Sequence, residues 1–142
     1  MISPEEIIDK ISLHDNVLGW MATEMHSSAT KEMWYPALST LFVITEQVLK
    51  WATDVDDKKT FFRIINLAQE IKLINEEEKQ LLHYLRRVRN TYVHANFHAE
   101  IFEHNDILLP VNDANTAEYL YEEFASPCLL VILKLVKGQR AR

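Results

Sequence analysis

A chain of 142 residues, 48% hydrophobic and 25% charged, is long enough to bury a real core and has the composition of an ordinary globular protein. Its net charge of -6 excludes wrapping a long stretch of nucleic acid, which needs a broad basic surface, but leaves room for a small local site. Two glycines and four prolines give little material for hairpin turns, and a single cysteine, Cys128, excludes an internal disulfide and fits a reducing compartment.

Ser3-Pro4-Glu5-Glu6 predicts a helix start, with a capping serine, a proline in the first turn and two acids facing the dipole. The acidic opening "MISPEEIIDK" predicts no secretory leader, so a cytoplasmic location is expected. Ile7, Ile8, Ile11, Leu18, Met21 and Met25 keep helical spacing to about residue 26, with Asp15, Asn16 and Gly19 able to bend or split the segment. A second helix is predicted from about Met33 to Ala52, with Ala37, Leu38, Leu41, Ile44, Thr45, Val48 and Leu49 on one face. A third, about 57–72, carries Phe61, Phe62, Ile65, Leu67, Ala68 and Ile71.

Asn75 with Glu78 makes a capping box that opens a fourth helix, running to about Ala95. Residues 96–115 show no clear period, and a loop of some twenty residues is long for a compact domain, so function or partner contact is expected there. No strand alternation is convincing, although "AEIFEH" could pair briefly with a partner. The last helix should begin near Thr116 and kink at Ser126-Pro127, where proline cannot donate its backbone bond. Its "CLLVILKLV" run is broken by Lys134 and too short to span a membrane. Lys134, Lys137, Arg140 and Arg142 make a basic tail that complements the helix dipole. The expected architecture is all-α: one domain over 1–142, an up-and-down helical bundle of four main helices plus the N-terminal one.

The fourth helix carries the chemistry. At roughly 100° per residue, Leu81, Leu82, Leu85, Val88, Tyr92 and Val93 form an apolar arc, while His83, Arg87, Asn90 and His94 line up on the opposite side. Arg89 falls among the leucines. It must snorkel outward or meet an acceptor, with Glu46 or Glu70 as candidates, because an unpaired buried charge is very costly.

"RNTYVH", Arg89 to His94, resembles the signature of the HEPN superfamily, an arginine followed after four to six residues by histidine, often with a polar residue such as Asn90 directly after the arginine. The lead-in "IKLINEEEKQLLHYLRRVRN" is similar to HEPN domains of the mannitol-repressor-like kind, and the resemblance spans roughly residues 33–137. It implies a homodimer joined along the motif helices. Many such proteins are metal-independent endoribonucleases, toxins or defence effectors among them, whose composite site takes arginine and histidine from both protomers; others are non-catalytic binding or regulatory modules. Carried onto this chain, the resemblance makes Arg89, Asn90 and His94 the catalytic candidates and Arg86, Arg87 and His83 the substrate-binding ones. RNA, a second copy, and an antitoxin or regulatory protein become the partners, with no membrane and no cofactor. The tyrosine that some members carry two residues after the histidine is Asn96 here, so its modification is not implied.

The residue types suit that chemistry. Histidine serves as acid or base near neutrality, and arginine offers planar paired donors to phosphate. Asn90, one turn before His94, could orient its ring. No metal is expected: His94 and His98 have i, i+4 spacing but no third ligand at a recognisable offset. Three readings follow: a ribonuclease, a non-catalytic HEPN-like module, and an unrelated helical adaptor in which the motif is coincidental. Catalysis wants Arg89 open to a cleft with His94, whereas a structural role wants it sealed against a carboxylate.

Overall fold

Helix starts and stops follow from local capping. The computed structural model describes residues 2–55, 58–94 and 101–140, except the side chains of Val93, His94, Phe102, Gln139 and Arg140. The first helix, α1 (Pro4–His14), opens on Ser3, whose hydroxyl accepts the Glu6 N–H at 3.3 Å. It ends at Asp15, which has extended backbone and caps the next helix too, its carboxylate accepting the Leu18 N–H at 2.9 Å. The N-terminal segment therefore splits at Asp15 into α1 and α2 (Asn16–Thr30).

The central helix, α3 (Trp34–Thr53), ends on Asp54 in the left-handed conformation. Helix α4 (Phe61–Glu70) starts later than the periodicity predicts because Thr60 caps it, accepting the Arg63 N–H at 3.3 Å. Helix α5 (Glu76–His94) opens on the expected capping box: Asn75 accepts the Glu78 N–H and Glu78 accepts the Asn75 N–H, each at 2.8 Å. Two orphan donors are satisfied at once.

Helix α3 is the hub, packing on α2, α4 and α6, while α1 lies against α2 and α6 and α5 against α4, with smaller contacts to α3 and α6. Leu38, Leu41, Ile44 and Leu49 of α3 are sealed in the centre with Ile64 and Ile65 of α4, Leu82 and Leu85 of α5, and Leu120 of α6. Each such side chain contributes about 1.5–3 kcal/mol by leaving water. The architecture is an all-α bundle, with six helices among the described residues.

One local expectation is corrected. Part of the region read as loop is a hairpin, β1 (Ile101–His104) paired antiparallel with β2 (Ile107–Pro110), His104 opposite Ile107. Asn105 and Asp106 form its turn at φ 51° and 64°, the left-handed pair that a two-residue hairpin needs, and Asn and Asp tolerate that conformation best after glycine. The hairpin is pinned to the bundle: His104 packs 5.3 Å from the rings of both Tyr84 and Phe124 and bonds the Tyr119 hydroxyl at 3.0 Å.

Pro127 lies inside the last helix. Helix α6 (Ala114–Arg140) runs continuously through it. The missing N–H removes one bond, but Leu120, Phe124, Cys128, Leu129 and Ile132 are buried on both sides of it. That packing holds both halves in one helix.

Candidate functional site

Helix α5 carries the motif between three neighbours, and its arginines part company. Arg89 points toward α3. Its Nη1 donates to Glu46 Oε1, while Nε and Nη2 donate to Asn90 Oδ1 at 3.3 and 3.1 Å. The guanidinium lies 5.0 Å over the Phe61 ring. Lys50 Nζ sits 3.5 Å from the other Glu46 oxygen. The acceptor that an arginine on the apolar arc requires is therefore Glu46, not Glu70. The pair is only partly sealed, with side-chain exposures of 24% for Arg89 and 20% for Glu46. It borders a niche of about 190 Å3 walled by Tyr35, Phe42 and Tyr92.

His83 turns the other way, toward α4, and is buried rather than on an open stripe. Its Nε2 faces Asn66 Oδ1 at 2.8 Å and its Nδ1 faces the Arg86 Nε at 3.3 Å. Since the arginine N–H can only donate, Nδ1 is the acceptor and Nε2–H donates to Asn66, which defines a neutral ring. Burial, then the positive charges of Arg86, Lys79 and Arg87, lowers its pKa from the ordinary histidine value. Arg86 covers the Phe62 ring at 5.1 Å, and burial, followed by Arg87 and Arg89, lowers its pKa too.

Arg87 takes a third direction. It lies 5.6 Å over the Tyr84 ring and borders an open groove of about 520 Å3 between α5 and β1, with Asn90, Thr91 and Glu103. Asn90 is the link between regions, tied to Arg89 and also lining the Arg87 groove. Of the six residues that sequence brings forward, the structure joins Arg89 to Asn90 and Arg86 to His83, and leaves Arg87 on the hairpin side. His94 is the last residue of α5, one turn beyond Asn90, and its side chain lies outside the described residues, as do Asn96 and His98.

Among the described residues no three His, Cys, Asp or Glu side chains gather closely enough to hold a metal ion, and no helix is long and apolar enough to cross a membrane. Tyr35 and Tyr92, whose rings meet at 5.6 Å, wall the Arg89 niche without having stood among the sequence candidates. The available signal was the Trp34-Tyr35-Pro36 run that opens α3. No family model, curated protein or solved structure matches this chain.

Proposed function

We propose that this protein is a non-catalytic, HEPN-like helical module that acts by binding, to a second copy of itself and to a partner protein, rather than by cutting RNA. The carrying observation is the Arg89–Glu46 ion pair. A phosphate approaching Arg89 meets a carboxylate already bonded to the guanidinium, and must displace it or sit beside its negative charge. Arg86 and Arg87 are committed to aromatic rings in different directions, so no described cleft gathers them with Arg89 around one phosphate.

Self-association has a surface to use. Tyr35 and Val43 of α3, each about half exposed, flank the Arg89 niche. Exposed apolar side chains beside the motif helix suit a two-fold contact that buries α3 and α5 together.

The deciding experiment incubates purified protein with mixed RNAs, with and without chelator, beside His94→Ala. Intact RNA in every lane, together with a dimer mass by light scattering that Val43→Asp converts to monomer, is the expected result. Cleavage that ignores chelator and vanishes in His94→Ala overturns this reading in favour of a ribonuclease.

One observation favours that second reading. Arg89 retains a quarter of its exposure and is tied to Asn90, so a transient release of Glu46 opens an Arg-Asn pair one turn from His94. In that case Arg89→Ala abolishes cleavage, Arg89→Lys fails to restore it, and the products end in a 2′,3′-cyclic phosphate.

A further inference from the structure

Beside the Arg89 niche lies a larger cavity of about 770 Å3, bounded by the α2–α3 turn, the C-terminal part of α5 and the start of α6. That volume lies within the roughly 300–1,000 Å3 typical of sites that enclose a small molecule. Three aromatic side chains, Trp34, Tyr35 and Tyr92, line it. Tyr35 and Tyr92 meet at an interplanar angle of 59°, so they present two non-parallel faces instead of a closed stack. Trp34 is braced from behind by Tyr121, ring centres 6.0 Å apart.

Among the described residues, the charged side chains of this cavity have one sign. Glu32 and Asp113 line it, and no lysine, arginine or histidine does so among the described lining residues. Asp113 is held in place by the Asn115 N–H, which donates to its Oδ1 at 2.9 Å. Glu32 is fixed in the left-handed region at φ 60°, with its own N–H bonded to the Ala29 carbonyl at 2.9 Å. Two helices, α3 and α6, also begin here, and a helix amino end carries about half a positive charge. Two such halves against two full carboxylates leave about one net negative charge, so the cavity favours a cation over an anion.

We propose that this cavity binds an organic cation, an alkylammonium or guanidinium head on an apolar body. The head sits against the faces of Trp34, Tyr35 and Tyr92, the quadrupoles of which attract positive charge, and between Glu32 and Asp113. The chain's charge of -6 adds a long-range attraction of the same sign. A free small molecule and a lysine or arginine side chain carry this chemistry equally. The site uses neither Arg89 nor His94; it shares Tyr35 with the surface proposed for self-association, and ligand binding is read out apart from the oligomeric state and RNA cleavage that test that reading.

The test uses the full chain, which has three tryptophans, and follows their indole N–H signals by NMR with Trp34→Phe assigning the reporter. Choline is titrated against 3,3-dimethylbutanol, its uncharged carbon counterpart of the same shape. Choline is expected to move the Trp34 signal while the more exposed Trp20 and Trp51 stay still, and the neutral compound to bind about tenfold more weakly. The double variant Glu32→Gln, Asp113→Asn keeps the shape and the helix cap, and should weaken choline about tenfold while leaving the neutral compound unchanged. A glycine-serine peptide bearing one trimethyllysine separates the sources: tighter binding than choline points to a partner's side chain, equal or weaker binding to a free molecule. Equal binding of choline and its neutral counterpart, equal shifts at all three tryptophans, or no movement at tens of millimolar choline overturns the proposal.

Discussion

Glu46 of α3 is shared: it holds Arg89 across the bundle and Lys50 one turn along its own helix. Two cations on one partly buried carboxylate make Glu46, rather than the arginine, the residue on which this corner depends. Glu46→Gln should therefore destabilise the fold by about 1–3 kcal/mol, since the partly buried Arg89 and Lys50 lose their counter-charge and keep only a neutral amide acceptor at this position. Arg89→Met should cost less than Arg89→Ala, because the methionine stem still covers Phe61. Urea denaturation of Glu46→Gln, Arg89→Met and the double variant measures the coupling. A value below about 0.5 kcal/mol refutes a structural role for the pair.

His83 sets a pH dependence. Its folded-state pKa lies below the ordinary value of about 6.5, chiefly through burial and secondarily through Arg86, so the unfolded chain takes up the proton more readily. Its contribution to stability is complete above about pH 6.5 and is lost as pH falls toward the folded-state value. Protonation also puts a hydrogen on Nδ1, facing the Arg86 donor. The urea midpoint of the wild type should fall between pH 7 and pH 5 more steeply than that of His83→Gln. Parallel curves would show that His83 is not the responsible group.

That histidine also marks where sequence reading stops. A helical wheel places His83 opposite the leucines of α5, but it carries no knowledge of α4, which brings Phe62 and Asn66 over that face. Local signals were legible because they are local: Ser3, Asp15 and the Asn75–Glu78 box each act within three residues. The hairpin was missed because its turn uses Asn105-Asp106 where glycine is the usual sign, and because its strands are four residues long. The motif was readable as letters, and the need of Arg89 for a carboxylate followed from its place among leucines. The divergence of Arg86, Arg87 and Arg89 onto three neighbours is a property of helix packing, which no spacing along α5 encodes.

Glu78 separates two contributions in one side chain, since it completes the α5 cap and accepts from Lys134 of α6 at 2.7 Å. Asn75→Ala should lower stability by about 1 kcal/mol through loss of the cap. Glu78→Gln keeps an acceptor for the Asn75 N–H and loses mainly the ion pair with Lys134, whose side chain is about half exposed, so a few tenths of a kcal/mol is expected. Glu78→Ala loses both. Thermal denaturation should rank the three with Glu78→Gln mildest, and a Glu78→Gln loss equal to that of Glu78→Ala would mean that the ion pair outweighs the cap.

Gly19 offers a prediction that runs against helix propensity. It lies in the second turn of α2, where alanine would ordinarily add up to about 1 kcal/mol over glycine. Here the two helices meeting at Asp15 come so close that a Cβ at position 19 would overlap the Ser12 hydroxyl and lie 2.9 Å from its Cβ and 3.0 Å from its Cα. The hydroxyl could rotate away only by giving up its 2.9 Å bond to the Ile8 carbonyl, and the Cα cannot rotate at all. Accommodating the methyl therefore requires α1 and α2 to separate, which disturbs the packing of the buried Ile8 and Ile11. Gly19→Ala should destabilise the protein by about 1–3 kcal/mol, the usual range for overpacking, despite the gain in propensity. Adding Ser12→Gly removes two of the three close atoms and should recover part of that loss, although glycine in α1 brings its own entropic cost. Denaturant midpoints of the two single variants and the double variant test this, and a Gly19→Ala protein as stable as the wild type would show that α1 and α2 are not in close contact at this point.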